Sequence, residues 1–343
     1  AQGIDFGTTT INSATDIAVT QAGRMISLIG RVDVAKLQVI QGAQTSPTLD
    51  LNCSYDLTLD RVGKSVLLKA INFSGTQNQQ VFLTTTLSSP LTIAFGDTIN
   101  AADASLDYAL TGLNLADWRA FAPGLELAGI VGAKGKLFSK DGGKRLSLEF
   151  EENVKGFSAK VGSGPIAVDE ISFRGTFNHT AQDDALKSTL ALNGIKLPEL
   201  AGNPLQFTLN LDAAVSNRVA RLNQCSLKLT PTPRARNELT LTGRVDLSEA
   251  TAISGNLKLA ADALDVTGYY DLFASQPAKT NATLTPPGST AAAKSNAEPP
   301  PVKLPFRNFT VEANVHQFYL REVDASDLQT TLLLDASHVV LSP

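Results

Sequence analysis

Apolar and polar residues alternate along most of this chain. Leu239, Leu241, Gly243, Val245 and Leu247 fall on one side of an extended segment, and Thr240, Thr242, Arg244, Asp246 and Ser248 fall on the other. A period of two marks a half-buried strand, because successive side chains of extended backbone point to opposite faces. The same period runs through Leu146, Leu148 and Phe150, through Ile171, Phe173, Gly175 and Phe177, through Leu205, Phe207, Leu209 and Leu211, and through Phe309, Val311, Ala313 and Val315. Turn-forming phrases such as KDGGKR (140–145), GSGP (162–165) and LTPTPRARNE (229–238) separate these runs. That punctuation predicts hairpin-connected antiparallel strands, and no helical crossover of the length that parallel strands need is visible. Only residues 115–121 and 266–273 suit a helical turn or two. The expectation is therefore an all-β protein. Its greasy faces are covered either by one another in a sandwich or by something else in an open groove, and alternation alone suits both.

The pattern lapses at residues 276–303, where Pro, Ala, Ser and Thr replace nearly every large apolar residue, a composition too poor in apolar surface to order itself. The expected organisation is a repetitive β region over 1–275, a flexible insert over 276–303 and strands of the same sheet over 304–343.

A phrase recurs within the alternation. Leu106, Tyr108, Leu113, Asn114, Leu115 and Trp118 match Leu257, Leu259, Leu264, Asp265, Val266 and Tyr269 at a constant separation of 151. Val311, Ala313, Val315, Phe318, Tyr319 and Leu320 fit the same frame against Leu257, Leu259, Ala261, Leu264, Asp265 and Val266, and LALNGIKLPEL (190–200) is a shorter copy. The repeat describes a strand with inward apolar residues, a short crossing that leaves the alternation, and a return to the sheet. Trp118 and the pair Tyr269 and Tyr270 are expected to plug the crossing, or to meet a lipid headgroup there.

Composition narrows the chemistry. The 343 residues are 43% apolar and 18% charged, enough for a real core, and the net charge of -4 is spread along the chain without the basic stripe that phosphate backbones require. Nucleic acid is not an expected partner. The longest mid-chain run without a charged or strongly polar residue, Leu127 to Ala133, is far short of the roughly 20 apolar residues that span a bilayer. Cys53 and Cys225 sit in similar strand phrases and show no metal spacing; whether they pair stays open, with a buried thiol as the ordinary case. No nucleophile elbow, zinc-protease, dinucleotide or complete phosphate-loop motif occurs, and KDGGKR reads as a hairpin tip. His179, His316 and His338 are scattered, Glu149 and Glu151 lie opposite Phe150 on a solvated face, and Asp183 with Asp184 fall in a turn. No catalytic residue, metal ligand or cofactor is expected.

The phrase LKLAADALDVTGYYDLF (257–273), the Pro/Ala-rich insert after it and the hairpin pattern from Leu304 to Pro343 resemble the carboxy-terminal portion of AsmA-like proteins of the Gram-negative envelope. The likeness covers about 239–343, with weaker repeats upstream to about residue 106. It implies a long curved antiparallel sheet forming an open apolar groove, placed in the periplasm and engaged in phospholipid movement or outer-membrane assembly. It also implies a membrane anchor outside this chain, the amino-terminal helix of the family being missing here. A structural or adhesive sandwich of the cell envelope is the competing expectation.

Acyl chains could cover such a groove at roughly 0.8 kcal/mol for each buried methylene, and the low aromatic content of 6% speaks against a sugar- or base-stacking cleft. The expected lining is Leu146, Leu148, Phe150, Leu205, Phe207, Leu209, Leu211, Leu239, Leu241, Val245, Leu247, Leu257, Leu259, Phe309, Val311 and Val315. Partners would be phospholipid acyl chains and other envelope proteins, the latter added at exposed sheet edges near residues 1–10 or Leu332 to Pro343.

Overall fold

The computed structural model describes residues 4–42, 44–95, 100–121, 125–161, 164–196, 204–274, 304–336 and 338–342; the insert at 276–303 lies outside the described residues. Strand dominates the described residues and helix is scarce, so the protein is all β. It divides into two compact units, one of residues 1–217 with 222–230, the other of 218–221 with 231–343.

The first unit holds β1 (Ile4–Asp5), β2 (Thr10–Thr20), β3 (Met25–Leu37), β4 (Ile40–Gln41), β5 (Gln44–Thr45), β6 (Leu49–Asp60), β7 (Ser65–Gln77) and β8 (Gln80–Ser89). It continues with β9 (Leu91–Ala94), β10 (Asn100–Ala101), β11 (Ala104–Asn114), β12 (Ala128–Lys140), β13 (Arg145–Val161), β14 (Gly164–His179), β15 (Asp183–Lys196) and β16 (Leu205–Ser216). β17 (Val219–Leu229) has residues in both units.

Every pairing in the main sheet of this unit is antiparallel, in the order β2, β3, β6, β7, β8, β11, β12, β13, β14, β15, β16. The sheet is curved and open: among the described residues no pairing returns β2 to the far end to close a barrel. β8 and β9 form one path along β7, broken at Pro90, which has no N–H to give to a ladder. β1, β4 and β5 make a separate three-stranded sheet. The KDGGKR phrase is a hairpin tip, as expected: Lys140 pairs with Arg145, and Asp141, Gly142 and Gly143 take positive φ to turn the chain.

The second unit holds β18 (Glu238–Asp246), β19 (Ile253–Asp265), α1 (Thr267–Ala274), β20 (Phe306–Leu320), β21 (Val323–Asp335) and β22 (His338–Ser342). β18 and β19 form an antiparallel pair, as do β20 with β21 and β21 with β22. β19 and β20 run parallel, which corrects the purely antiparallel expectation. The crossover that allows this contains α1, a helix of eight residues, too short to stand out in the sequence as a crossover element.

The register of that parallel pair carries information. Leu257 faces Val311, Leu259 faces Ala313, Ala261 faces Val315, Leu264 faces Phe318 and Asp265 faces Tyr319. These are the pairs matched as repeat copies from sequence, so two copies of one phrase lie side by side in step. The longer-range copies agree in form: β11 runs into a 3-10 turn at Leu115–Phe121 and β19 into α1.

Candidate functional site

The ladders of the first unit place the alternating residues in rows across six strands, β11 to β16. One row is Leu106, Leu137, Leu148, Phe177, Leu186 and Ala213; the next is Tyr108, Gly135, Phe150, Gly175, Ser188 and Leu211. A third is Leu110, Ala133, Glu152, Phe173, Leu190 and Leu209; a fourth is Leu113, Val131, Val154, Ile171, Leu192 and Phe207. Apart from the Tyr108 phenol, only Ser188 and Glu152 interrupt this apolar field with a polar side chain. Phe150 and Phe173 touch within it, ring centroids 4.9 Å apart.

The opposite face is charged and cross-linked between strands, with Lys134 3.1 Å from Glu151, Lys136 3.6 Å from Asp107, and Lys187 3.1 Å from Asp212. Asn223 and Lys187 donate to Asp212 and hold its carboxyl below the ordinary range. Such exposed pairs add little stability individually. Their consequence is to make the two faces chemically unlike, so that one meets water and the other needs apolar cover.

Burial shows what covers that apolar field. Leu148, Phe150, Leu205, Phe207, Leu209 and Leu211 are all half-buried, whereas the inner faces of a packed sandwich are closed. Among all described residues the buried apolar side chains are Ala159, Val168, Ala235, Leu264, Phe309 and Val315. Among the described residues no second layer seals the sheet. Large side chains lie over glycines in its rows: the Tyr108 hydroxyl would come within 2.6 Å of a Cβ built at Gly135, and Tyr55 crosses Gly30 to meet the Thr15 hydroxyl at 2.6 Å. Removing a Cβ lets the ring lie flat on the sheet, which spreads apolar surface without a ridge.

The second unit has its own apolar face. Leu239, Ala261, Val315 and Leu328 form one row, Leu241, Leu259 and Ala313 another, Gly243, Leu257, Val311 and Leu332 a third, and Val245, Gly255, Phe309 and Leu334 a fourth. Phe309 and Val315, at 7% and 4% exposure, are as closed as ordinary core. The other expected lining residues of this unit are half-buried, except Leu247, which lies beyond β18 and is exposed. Leu146 is also exposed, at the rim of the first face beside His179, whose Nδ1 lies 2.6 Å from Asp184.

The crossing aromatics divide. Trp118 is half-buried in the 3-10 turn, and Tyr269 is half-buried in α1 with its hydroxyl enclosed. Among the described residues Tyr270 closes no crossing: it is 47% exposed, with the Arg321 guanidinium 5.0 Å over its ring. Cys53 and Cys225 are free and half-buried, and burial raises the Cys225 thiol above its usual range.

Sequence reasoning missed the most elaborate polar cluster. Asp265, at the end of β19, is 5% exposed and accepts a two-pronged pair from Arg234, Nε at 3.0 Å and a terminal nitrogen at 2.9 Å. It also accepts from Thr232 Oγ1 at 3.0 Å and from the Thr267 N–H at 3.2 Å. Arg234 donates further to the Arg321 carbonyl and to Thr267 Oγ1, and its guanidinium sits 4.9 Å over the Tyr319 ring. The buried Asn237 side chain accepts from the Asp265 N–H at 2.6 Å. Burial works to raise the Asp265 carboxyl, but the Thr267, Thr232 and Arg234 hydrogen bonds outweigh it and hold the group below its ordinary range. The phrase TPRARN thus does more than turn the chain: it clamps the start of the crossover to the β20–β21 turn.

Among the described residues no cluster of three metal-ligating side chains occurs and no helix is long and apolar enough to cross a membrane. Comparison with protein-family models, with curated proteins and with solved structures returned no match.

Proposed function

We propose that this chain is a non-enzymatic module that holds acyl chains against the apolar face of its sheet, in the periplasm of a Gram-negative-type envelope, as a carrier of phospholipid or an aid to outer-membrane assembly. The observation that carries this is the apolar field of four rows across six strands, left half-buried with a charged face behind it. An extended aliphatic ligand is the natural cover for such a field, because each methylene laid on it gains roughly 0.8 kcal/mol and little on the face selects a direction by hydrogen bonding. The resemblance to AsmA-like proteins over about 239–343 points the same way.

Native mass spectrometry of gently purified protein tests this. Bound phospholipid, released by organic extraction and reduced when Val154 is replaced by Lys, is the expected result. Protein that is lipid-free after isolation from membrane-containing lysate, and that fails to take up phospholipid from vesicles, would overturn it.

A further inference from the structure

One position in the apolar field is out of keeping. Glu152 stands in the row between Ala133 and Phe173, on the same side as Phe150 and Val154, whereas its neighbours Glu149 and Glu151 belong to the charged face. Lys134 answers Glu151 across the strands, but Glu152 has no ion pair or hydrogen bond among the described residues. It borders a cavity of about 310 Å³ lined otherwise by Leu110, Val131, Ala133, Val154, Ile171 and Phe173, with Asn153 the one other polar residue on its wall. That volume falls at the lower end of the roughly 300–1,000 Å³ of small-molecule sites.

A carboxylate on an apolar wall is stabilised while water reaches it. An aliphatic ligand that displaced this water without offering a positive charge would leave the carboxylate desolvated and unpaired, at considerable cost. An ammonium group at the head of the same chain removes that cost and adds a charge-assisted hydrogen bond. Tyr108 lies two residues before Leu110 on the same face, and the raised pKa of its phenol, due first to burial and then to the Glu152 charge, places the carboxylate's field within the apolar surface.

We propose that Glu152 is a recognition point for an amphipathic amine, an ammonium carried on an aliphatic chain, seated in the cavity that Glu152 and Phe173 border, with its tail along the rows. This rests on the acyl-binding reading above and specifies the chemistry of its head. An anionic head would be repelled.

Calorimetric titration of the intact chain with decylammonium, 1-decanol and decanoate, three heads on one tail, tests it. The expected order is ammonium tightest, by about five- to tenfold over the alcohol, and carboxylate weakest. Glu152→Gln should bring ammonium and alcohol to equality, weakening the ammonium and tightening decanol, which no longer strands a charge, and Glu149→Gln on the charged face should alter none of them. Equal binding of ammonium and alcohol by the native chain, or a preference that survives Glu152→Gln, would overturn this inference while leaving acyl binding intact. Failure of all three tails to bind would overturn both. A Glu152-dependent preference extending to short-chain phosphatidylethanolamine would identify a lipid head as the source of the amine, and one confined to decylammonium a free amphipathic amine.

Discussion

Replacing Arg234 with Ala isolates the energetics of the crossover clamp. The change removes two hydrogen bonds to a carboxylate that is 5% exposed, together with the bonds to Thr267 and the Arg321 carbonyl and the stacking on Tyr319. Removing one partner of a fully buried ion pair costs about 3–5 kcal/mol. Here Arg234 is itself 41% exposed, so solvent already screens part of the pair, and Thr232 and Thr267 still donate to Asp265 afterwards. Both reduce the loss, to about 2–3 kcal/mol, of which the cation–π contact supplies about 0.5–1. Hydrogen exchange read by mass spectrometry on the intact chain is the suitable assay, because a protein of two units has no single unfolding free energy. Amides at 263–270 and 316–322 should exchange about 30- to 140-fold faster in Arg234→Ala, the factor that 2–3 kcal/mol represents. Amides of β13 and β14 should not change. Combining Arg234→Ala with Asp265→Ala should cost no more than Arg234→Ala alone, since the buried charge goes with its partner. Acceleration below threefold, or strict additivity of the two substitutions, would refute the view that the pair acts as one unit.

Further outcomes follow from the same geometry. Gly175→Ala should destabilise the first unit by about 1–3 kcal/mol, measured by denaturant titration followed at Trp118, because an added Cβ collides with the backbone of Lys187 and Ser188; no loss would mean the sheet yields there freely. Asp60 is held at about 2, first by the Arg24 hydrogen bond and then by the Gly63 N–H, so its contribution to stability is present above the ordinary Asp range and is lost as pH falls from about 4 toward 2. An NMR carboxyl titration should place its midpoint near 2, and Arg24→Gln should move it upward; an unmoved midpoint would assign the depression to the turn amides instead. A photocrosslinker at Leu241, half-buried on the second unit's apolar face, should yield lipid adducts in cells, whereas one at Thr242 on the opposite side should not.

The strands, their apolar sides and the repeat were legible because a period of two states which residues share a face, and because a repeat that pairs with its own copy must do so in step. Leu257 and Val311 show this directly: matched as text, they are neighbours in the ladder. Parallel pairing was not legible, since direction is decided by the path of the crossover, and alternation reads the same forwards and backwards. The Arg234–Asp265 clamp was hidden for a different reason. Its members lie 31 residues apart, in a turn phrase and at a strand end, and neither position breaks any local pattern. Glu152 was within reach of the sequence, because parity alone puts it beside Phe150, Val154 and the apolar side of β13. Its standing in a row with Leu110 and Leu209 needed the register of five pairings.

The open face and the sheet's edges pose one problem. A single layer with an uncovered apolar side is ordinarily an aggregation hazard, and so is an unpaired edge. β22 combines both, with Val339 at 60% and Leu341 at 65% exposure along a strand that pairs only with β21 among the described residues. On β13 and β14 the hazard is moderated by the charged back and by half-burial among neighbours. β22 carries no Lys, Arg, Asp or Glu, and Val340 exposes its other face as well. If the apolar field is built for reversible cover by aliphatic chains, then Val340→Lys, which charges the back of β22 without touching that field, should reduce self-association in light scattering and leave lipid uptake unchanged. If instead the same substitution abolished lipid uptake, uptake would depend on the β22 edge rather than on the apolar field, and the field would lose its role as the acyl-binding site.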